Sequence, residues 1–440
     1  MTDPRMRTAR RALKLTSLPL GFAGRAAGGW ARGASGGDRT AIAAQLAVRN
    51  ADQLFAVLGE LKGGAMKVGQ ALSVYEALIP NELAEPYHQA LIKLQASAPP
   101  MPAKDVHRVL DEQLGRQWPS RFREFDAEAA HAASIGQVHK ATWHDGRQVA
   151  VKLQYPGAEQ ALTSDLRILR RLAQLLKIIV PGMDVRALID ELTTKMAVEL
   201  DYAAEADHQR TFAEALADDP RIRVPKVVAS APKVIVSEWL EGIPLSHFAR
   251  TPVADEHDQD VRDHIGETML EWVFSSPRRT GLLHCDPHHG NFRLMPDGRI
   301  GALDFGAVVP MPGGIPAPLA HLLQLAADDR AEEFLQASKD AGFIAQDHPI
   351  TPTEAMSFLG AFPATVRDER FHFTRSFMQN EGARLTDIHG DFQTVRALDL
   401  PPDYLMLART VGGWVGILAQ IDCTVSTREI LRTWVPGFVG

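Results

Sequence analysis

The chain has 440 residues, 45% of them hydrophobic and 23% charged, with a formal net charge of -7. That length exceeds one ordinary core and predicts two or three lobes. The composition excludes a disordered chain, and the acidic balance gives no support to a nucleic-acid partner. Only Cys285 and Cys423 are present, so neither a disulfide framework nor a zinc spacing can be built, and a reducing compartment is expected.

Residues 1–40 form a basic, flexible segment by expectation. Within the first 33 residues Arg5, Arg7, Arg10, Arg11, Lys14, Arg25 and Arg32 face a single acid, Asp3, with Leu13, Leu15, Leu18, Leu20 and Phe22 between them. A solvated tail, a membrane-surface segment and a targeting peptide all fit. Mixed basic and apolar residues suit an anionic lipid surface, whereas Pro19 and Gly21 break the apolar stretch that a secretory signal needs.

Residues 41–125 read as a helical extension. Helix formers fill 41–90, Ala96 to Pro102 is a proline-rich loop, and Pro102 to Gly115 is a further helix. Residues 126–242 then change period. Gln137 to Trp143 and Gln148 to Gln154 alternate as strands around the turn His144-Asp145-Gly146-Arg147, which predicts a hairpin. Helices are expected over 157–179 and 185–216, and strands over 224–229 and 233–239. Residues 243–440 read as a mainly helical lobe, interrupted by a loop at His284 to Asn291, a hairpin reaching Leu303, and a Pro/Gly loop at 310–318. The apolar run Tyr404 to Ile421 carries Arg409 and three glycines. A mid-helix charge is costly in lipid, so a buried helix is expected and no transmembrane span.

Chemistry concentrates in two pieces. One is His284-Cys285-Asp286-Pro287-His288-His289-Gly290-Asn291, and the other is Asp304-Phe305-Gly306, thirteen residues after Asn291. A phosphotransferase holds magnesium on nucleotide phosphates with hard oxygen ligands and needs a carboxylate near the attacking hydroxyl. An Asp followed five residues later by an Asn fits a kinase catalytic loop. Asp286 is therefore the candidate base or orienting group, and Asn291 and Asp304 the candidate metal ligands. The neighbouring pair His288 and His289 does not share one helix face and does not suggest zinc. Upstream, Val149-Ala150-Val151-Lys152 places a lysine in an apolar strand, where an ammonium needs a partner. A kinase supplies nucleotide phosphates and a helix glutamate. No G-x-G-x-x-G precedes Lys152. In its place stands His131-Ala132-Ala133-Ser134-Ile135-Gly136-Gln137-Val138-His139, whose alanines restrict the backbone freedom that glycines give a phosphate loop.

This alanine-rich loop resembles that of the UbiB/AarF atypical kinases. Three further segments agree in order: Lys67-Val68-Gly69-Gln70 resembles the family's K-x-G-Q signature, Glu199-Leu200-Asp201 its E-x-D segment, and His284 to Asn291 its H-x-D-P-x-x-G-N loop. The resemblance spans about residues 40 to 420. It implies an α+β, protein-kinase-like two-lobed fold with an N-terminal helical K-x-G-Q extension, and a Lys152–Glu205 pair. Lys67 and Gln70 would lie over the active site near Glu199 and take part in catalysis with Lys152 and Asp286, blocking an ordinary protein substrate. The nucleotide-binding set would be Ala132, Ala133, Ser134, Gly136, Gln137, Lys152, Glu199, Glu205 and Glu238. Two residues depart from the pattern: His131 stands where alanine is more usual, and His289 where proline is.

The function implied is an atypical kinase or ATPase using ATP and Mg2+ in quinone or other prenyl-lipid metabolism, cytoplasmic or peripheral to a membrane on its reducing side. Anionic or prenyl lipids and quinone-pathway proteins are the implied partners. Two other readings stay open: a phosphotransferase for a soluble small molecule, and a non-catalytic nucleotide-binding scaffold.

Overall fold

The structure, a computed structural model, describes residues 100–133, 135–160, 163, 200–357, 359, 362–386 and 402–439. The K-x-G-Q segment with Lys67 and Gln70, the basic segment 1–40, Ser134 and Glu199 lie outside the described residues. The chain divides into two compact units. The first holds the residues up to Tyr202 together with Ser230–Val236, and the second holds Ala203–Ala229 and Ser237 onward.

The first unit opens with α1 (Ala103–Leu114), which buries Val106, Val109, Leu110 and Leu114. That spacing puts them on one helical face, and Gly115 at φ +84 follows its last turn. Then come β1 (Phe122–Phe125), β2 (His131–Ala133), β3 (Gly136–Trp143) and β4 (Gln148–Gln154). The β3/β4 hairpin falls where the alternation placed it, in the register Val138↔Lys152. Gly146 sits at φ +99 in its turn, where only glycine is unstrained. The arrangement differs from the sequence expectation at 131–133, which pair with β3 as a strand, Ala133 opposite Gly136. With β6 (Val227–Ala231) and β7 (Val234–Glu238) the sheet order is β1-β3-β4-β7-β6, with β2 added on β3. The expected strand at 224–229 starts later because Pro225 has no N–H to give a ladder. Val149, Val151 and Leu153 are fully buried on the inner face of β4.

The second unit contains α2 (Tyr202–Ala215, all but its first residue), β5 (Ile222–Arg223), β8 (Ile243–Pro244) and α3 (Leu245–Arg250). After these comes the long α4 (Glu256–Thr280), capped by the Asp255 side chain accepting from Asp258 N–H and ended by Gly281 at φ +71. Three short ladders follow from β9 (Leu282–His284), β10 (Phe292–Leu294), β11 (Ile300–Ala302), β12 (Val308–Pro310), β13 (Phe371–Phe373) and β14 (Cys423–Val425). They are β5-β11-β10-β8, β12-β9 and β13-β14. Helices α5 (Ala317–Ala327), α6 (Ala331–Asp340), α7 (Pro352–Ser357), α8 (Phe362–Arg367), α9 (Arg375–Thr386), α10 (Pro402–Ile421) and α11 (Thr427–Trp434) complete it.

One core cluster joins Phe212, Trp272, Phe274, Phe292, Phe305, Phe373 and Trp414. The apolar run 404–421 is the body of α10, with Leu407, Trp414, Leu418 and Ile421 buried in that core. Among the described residues no helix is long and apolar enough to cross a membrane.

Candidate active site

Two ladders bring the acidic residues of the second unit together. The β10/β11 hairpin pairs Phe292 with Ala302, and Leu303 N–H donates to the Asn291 carbonyl at 2.9 Å. Asn291 and Asp304 therefore leave the same end of one hairpin. Beside it β9 pairs with β12, His284 opposite Val308, and Cys285 N–H donates to the Ala307 carbonyl at 2.8 Å. Asp286 thus leaves β9 where the Asp304-Phe305-Gly306 turn leads into β12.

Side chains tie these loops. Asn291 Nδ2 donates to Asp286 Oδ2 at 2.9 Å, which orients the amide and leaves its oxygen as an acceptor. Asp304 Oδ1 accepts from Gly306 N–H at 3.0 Å. His284 Nε2 donates to the Asp304 carbonyl at 2.7 Å. The His284 ring is fully buried among Trp272, Phe305 and Phe292, with centroids 5.5, 5.7 and 5.8 Å away. Burial pushes its pKa down, outweighing the pull of the Asp304 carbonyl and of Asp286, so the ring is neutral with the proton on Nε2. Phe305 is itself fully buried, so the tripeptide anchors the loop in the core while Asp304 stays half-buried.

Hydrogen bonds from His288 N–H to the Asp286 carbonyl at 2.8 Å and from Asn291 N–H to the His288 carbonyl at 2.9 Å fold the loop between the two ladders. The His288 and His289 rings lie 4.7 Å apart. Burial first, then repulsion from His288 and Arg250, pushes the His289 imidazole down to about 3.

The donor set fits magnesium. The Asp304 carboxylate and the Asn291 amide oxygen are hard ligands, and magnesium ordinarily takes one or two carboxylates and shares the rest of its shell with phosphates and water. Among the described residues no three His, Cys, Asp or Glu side chains form a cage sufficient for a metal by themselves.

In the first unit Lys152 lies between the fully buried Val151 and Leu153, and its Nζ is 5.1 Å from the Tyr202 ring centroid. Tyr202 is 1% exposed. A Cβ on Gly136 would collide with the Leu153 carbonyl and lie 3.0 Å from the Tyr202 hydroxyl. The glycine of the alanine-rich loop is therefore required by the approach of β4 and Tyr202. Gln154 Nε2 donates to the Leu200 carbonyl at 3.1 Å, holding the chain just ahead of Tyr202.

Gln137 is also buried. Its Oε1 accepts from Met101 N–H at 2.7 Å, and its Nε2 donates to His139 Nε2 at 2.8 Å. His139 Nδ1 in turn donates to the Asp126 carbonyl at 2.7 Å. The Gln137 side chain is thus spent on the frame of the unit, and any part in nucleotide binding falls to its backbone.

Ala132 is exposed and Ala133 half-buried at the end of the β2/β3 pair. Glu205 is buried in the first turn of α2. Glu238 accepts from Arg223 Nη2 at 2.8 Å and from Lys226 N–H at 3.1 Å. Sequence reasoning gave no role to the Tyr202 ring, although it directly follows the Glu-Leu-Asp segment, or to the side chain of His284, whose motif position was its only signal.

Residues 93–338 match the ABC1 atypical kinase-like domain. The chain is 31% identical over 307 residues to the mitochondrial atypical kinase coq-8 of Caenorhabditis elegans, covering 68% of this chain and 39% of that protein. It is 29% identical over 392 residues to the mitochondrial atypical kinase COQ8B of Rattus norvegicus, covering 87% and 71%. The solved complex of Rv3197 with erythromycin, from Mycobacterium tuberculosis, is 45% identical, with a TM-score of 0.68 over 92% of this chain and 100% of that one. With more than half of its length matched, the chain belongs to the ABC1 atypical kinase-like family, the UbiB/AarF-type kinases to which its motifs pointed.

Proposed function

We propose that the protein binds Mg-ATP and transfers or hydrolyses the terminal phosphate in the service of quinone or other prenyl-lipid metabolism at a membrane surface. The observation that carries this reading is the convergence of Asp286, Asn291 and Asp304 at the ends of two neighbouring ladders, with Asn291 bonded to Asp286. Asp304 and Asn291 hold the magnesium, which neutralises charge on the phosphate oxygens. Asp286 orients the attacking hydroxyl or water and accepts its proton as the terminal P–O bond breaks and ADP departs. Lys152 grips the phosphates and pairs with Glu205. The alanine-rich loop and Glu238 complete the nucleotide contacts, and Lys67 and Gln70 cover the site near Glu199. The proposed lobes are 126–242 and 243–440, with 41–125 as the extension.

The basic segment 1–33, with its seven basic residues against one acid, supplies membrane attraction of about 1 kcal/mol per charge near an anionic surface. The M. tuberculosis relative's complex with erythromycin favours a second reading, a soluble macrolide-class ligand. An ATP-turnover assay with anionic liposomes, a phenolic quinone-precursor analogue or erythromycin separates these. Stimulation by lipid or the phenol supports the proposal, stimulation by erythromycin alone supports the second reading, and binding without turnover under any condition points to a scaffold.

A further inference from the structure

The loop that carries Asp286 and Asn291 rests on a helix more than a hundred residues away in sequence. Two consecutive residues of α10 meet the two ends of that loop. Gly413 lies so close to Pro287 that a Cβ built on it would stand 2.5 Å from Pro287 Cγ and 3.2 Å from its Cβ. Trp414, fully buried, packs edge-on against Phe292 with ring centroids 5.2 Å apart. Pro287 immediately follows Asp286, and Phe292 immediately follows Asn291. Neighbouring glycines on the same helix do not share this closeness: a Cβ on Gly412 would meet nothing within 4 Å, and one on Gly416 only Met378 Cε at 3.9 Å. Helix propensity disfavours glycine in a helix interior by about 1 kcal/mol relative to alanine. Gly413 therefore has a packing reason that Gly412 lacks.

We infer that Gly413 is a positioning residue for the phosphoryl-transfer step, setting Asp286 through direct contact with Pro287. Proline couples the two ends of this contact. Its ring fixes its own φ and restricts the preceding residue to extended conformations. A displaced Pro287 ring therefore carries the Asp286 backbone with it. Ordinary carbon contacts begin near 3.5 Å, so an alanine at 413 must push the ring, the helix or both by roughly 1 Å. A misplacement of that size costs up to about 100-fold in rate. Lys152 of β4 and Asp304 are not in this contact, whereas Asp286 adjoins it directly, so the loss falls more heavily on kcat than on nucleotide affinity, in which Asn291 at the far end of the loop shares.

This inference rests on the proposed phosphoryl transfer, and its test separates the two. Gly413→Ala is compared with Gly412→Ala, Pro287→Ala and the double variant Pro287→Ala/Gly413→Ala. The readouts are ATP turnover, ATP affinity, thermal midpoint, and deuterium exchange of the His288 and Asn291 amides, both hydrogen-bonded within the loop.

Gly413→Ala is expected to lower kcat by about 10- to 100-fold with a smaller change in ATP affinity, and to speed exchange at both amides. Gly412→Ala changes neither. In the double variant the removed ring makes room for the new methyl, so kcat and exchange return to the level of Pro287→Ala alone. Wild-type turnover by Gly413→Ala, or a loss that Pro287→Ala does not relieve, overturns the positioning role. Absence of turnover in the wild-type protein overturns the proposed function instead. In that case unchanged exchange in Gly413→Ala refutes the seat, and exchange reversed by the second substitution upholds it.

Discussion

Replacing Arg262 with methionine should be among the most damaging single changes available in the second unit. Arg262 is 1% exposed. Its guanidinium donates to Asp258 Oδ2 at 3.0 Å, the Phe248 carbonyl at 2.8 Å, the Ile421 carbonyl at 2.6 Å and the Thr251 carbonyl at 2.9 Å. One side chain thus ties α4 to the ends of α3 and α10, the helix on which the Asp286–Asn291 loop rests. Methionine preserves the length of the stem and removes every donor. The bonds to Phe248 and Ile421 are fully buried, and an orphaned buried acceptor costs about 1–3 kcal/mol. Breaking a buried ion pair costs about 3–5 kcal/mol in total. These figures overlap, because part of the second is the first, so the expected loss is about 3–5 kcal/mol. For a unit of this size each kcal/mol moves the thermal midpoint by about 2–4 °C, so the transition of the second unit should fall by about 6–20 °C in calorimetry. Asp258→Asn keeps an oxygen for the Arg262 Nε donor and leaves the buried carbonyl acceptors satisfied, so it should cost less, about 1–3 kcal/mol. A loss below about 1 kcal/mol for Arg262→Met, or equal losses for the two variants, would refute the clamp.

Acid should destabilise the protein through its buried histidines. His139 and His284 are both held below their ordinary 6.5, chiefly by burial, whereas the unfolded chain protonates them near that value. Below it the unfolded state binds more protons, so stability falls as pH drops from about 7 to 5, by up to about 1.4 kcal/mol per pH unit for each ring. Urea unfolding across that window would contradict this if stability stayed level or rose. Asp286→Asn should slow turnover by about 10²–10⁴-fold with ATP affinity nearly intact, and wild-type turnover would remove Asp286 from catalysis. Tyr202→Phe should bind ATP as the wild type does. Tyr202→Leu, which loses the ring beneath Lys152, should weaken ATP binding by roughly 2- to 30-fold, equivalent to about 0.5–2 kcal/mol. Equal affinity in the two variants would exclude the ring from holding Lys152.

Local patterns were legible in the sequence and non-local contacts were not. Alternation around Asp145-Gly146 placed both strands of the Lys152 hairpin, because a half-buried pleat demands period two. The Asp-to-Asn spacing and the later Asp-Phe-Gly named the residues that the ladders bring together, but not how they meet. Their meeting depends on Phe292 pairing with Ala302 and His284 with Val308.

The strand at 131–133 was hidden because two alanines have little strand preference. It exists through its pairing with β3. The β13/β14 pair joins Phe371–Phe373 to Cys423–Val425 across about fifty residues of chain, and triplets that short announce no partner at that distance. The buried chain Met101–Gln137–His139–Asp126 was likewise invisible, since Gln137 and His139 alternate in sequence like exposed polar residues. Gly413 could be recognised only once Pro287 was beside it.

The proposed magnesium–nucleotide site is built on Asp304 and Asn291. Its most direct test is ATP binding to the wild type and to Asp304→Asn, by calorimetry, in Mg2+ and again in EDTA. Asp304→Asn should weaken binding much more in Mg2+ than in EDTA, because the lost charge is the metal's ligand rather than the nucleotide's. Equal weakening in both conditions, or none in Mg2+, would contradict it.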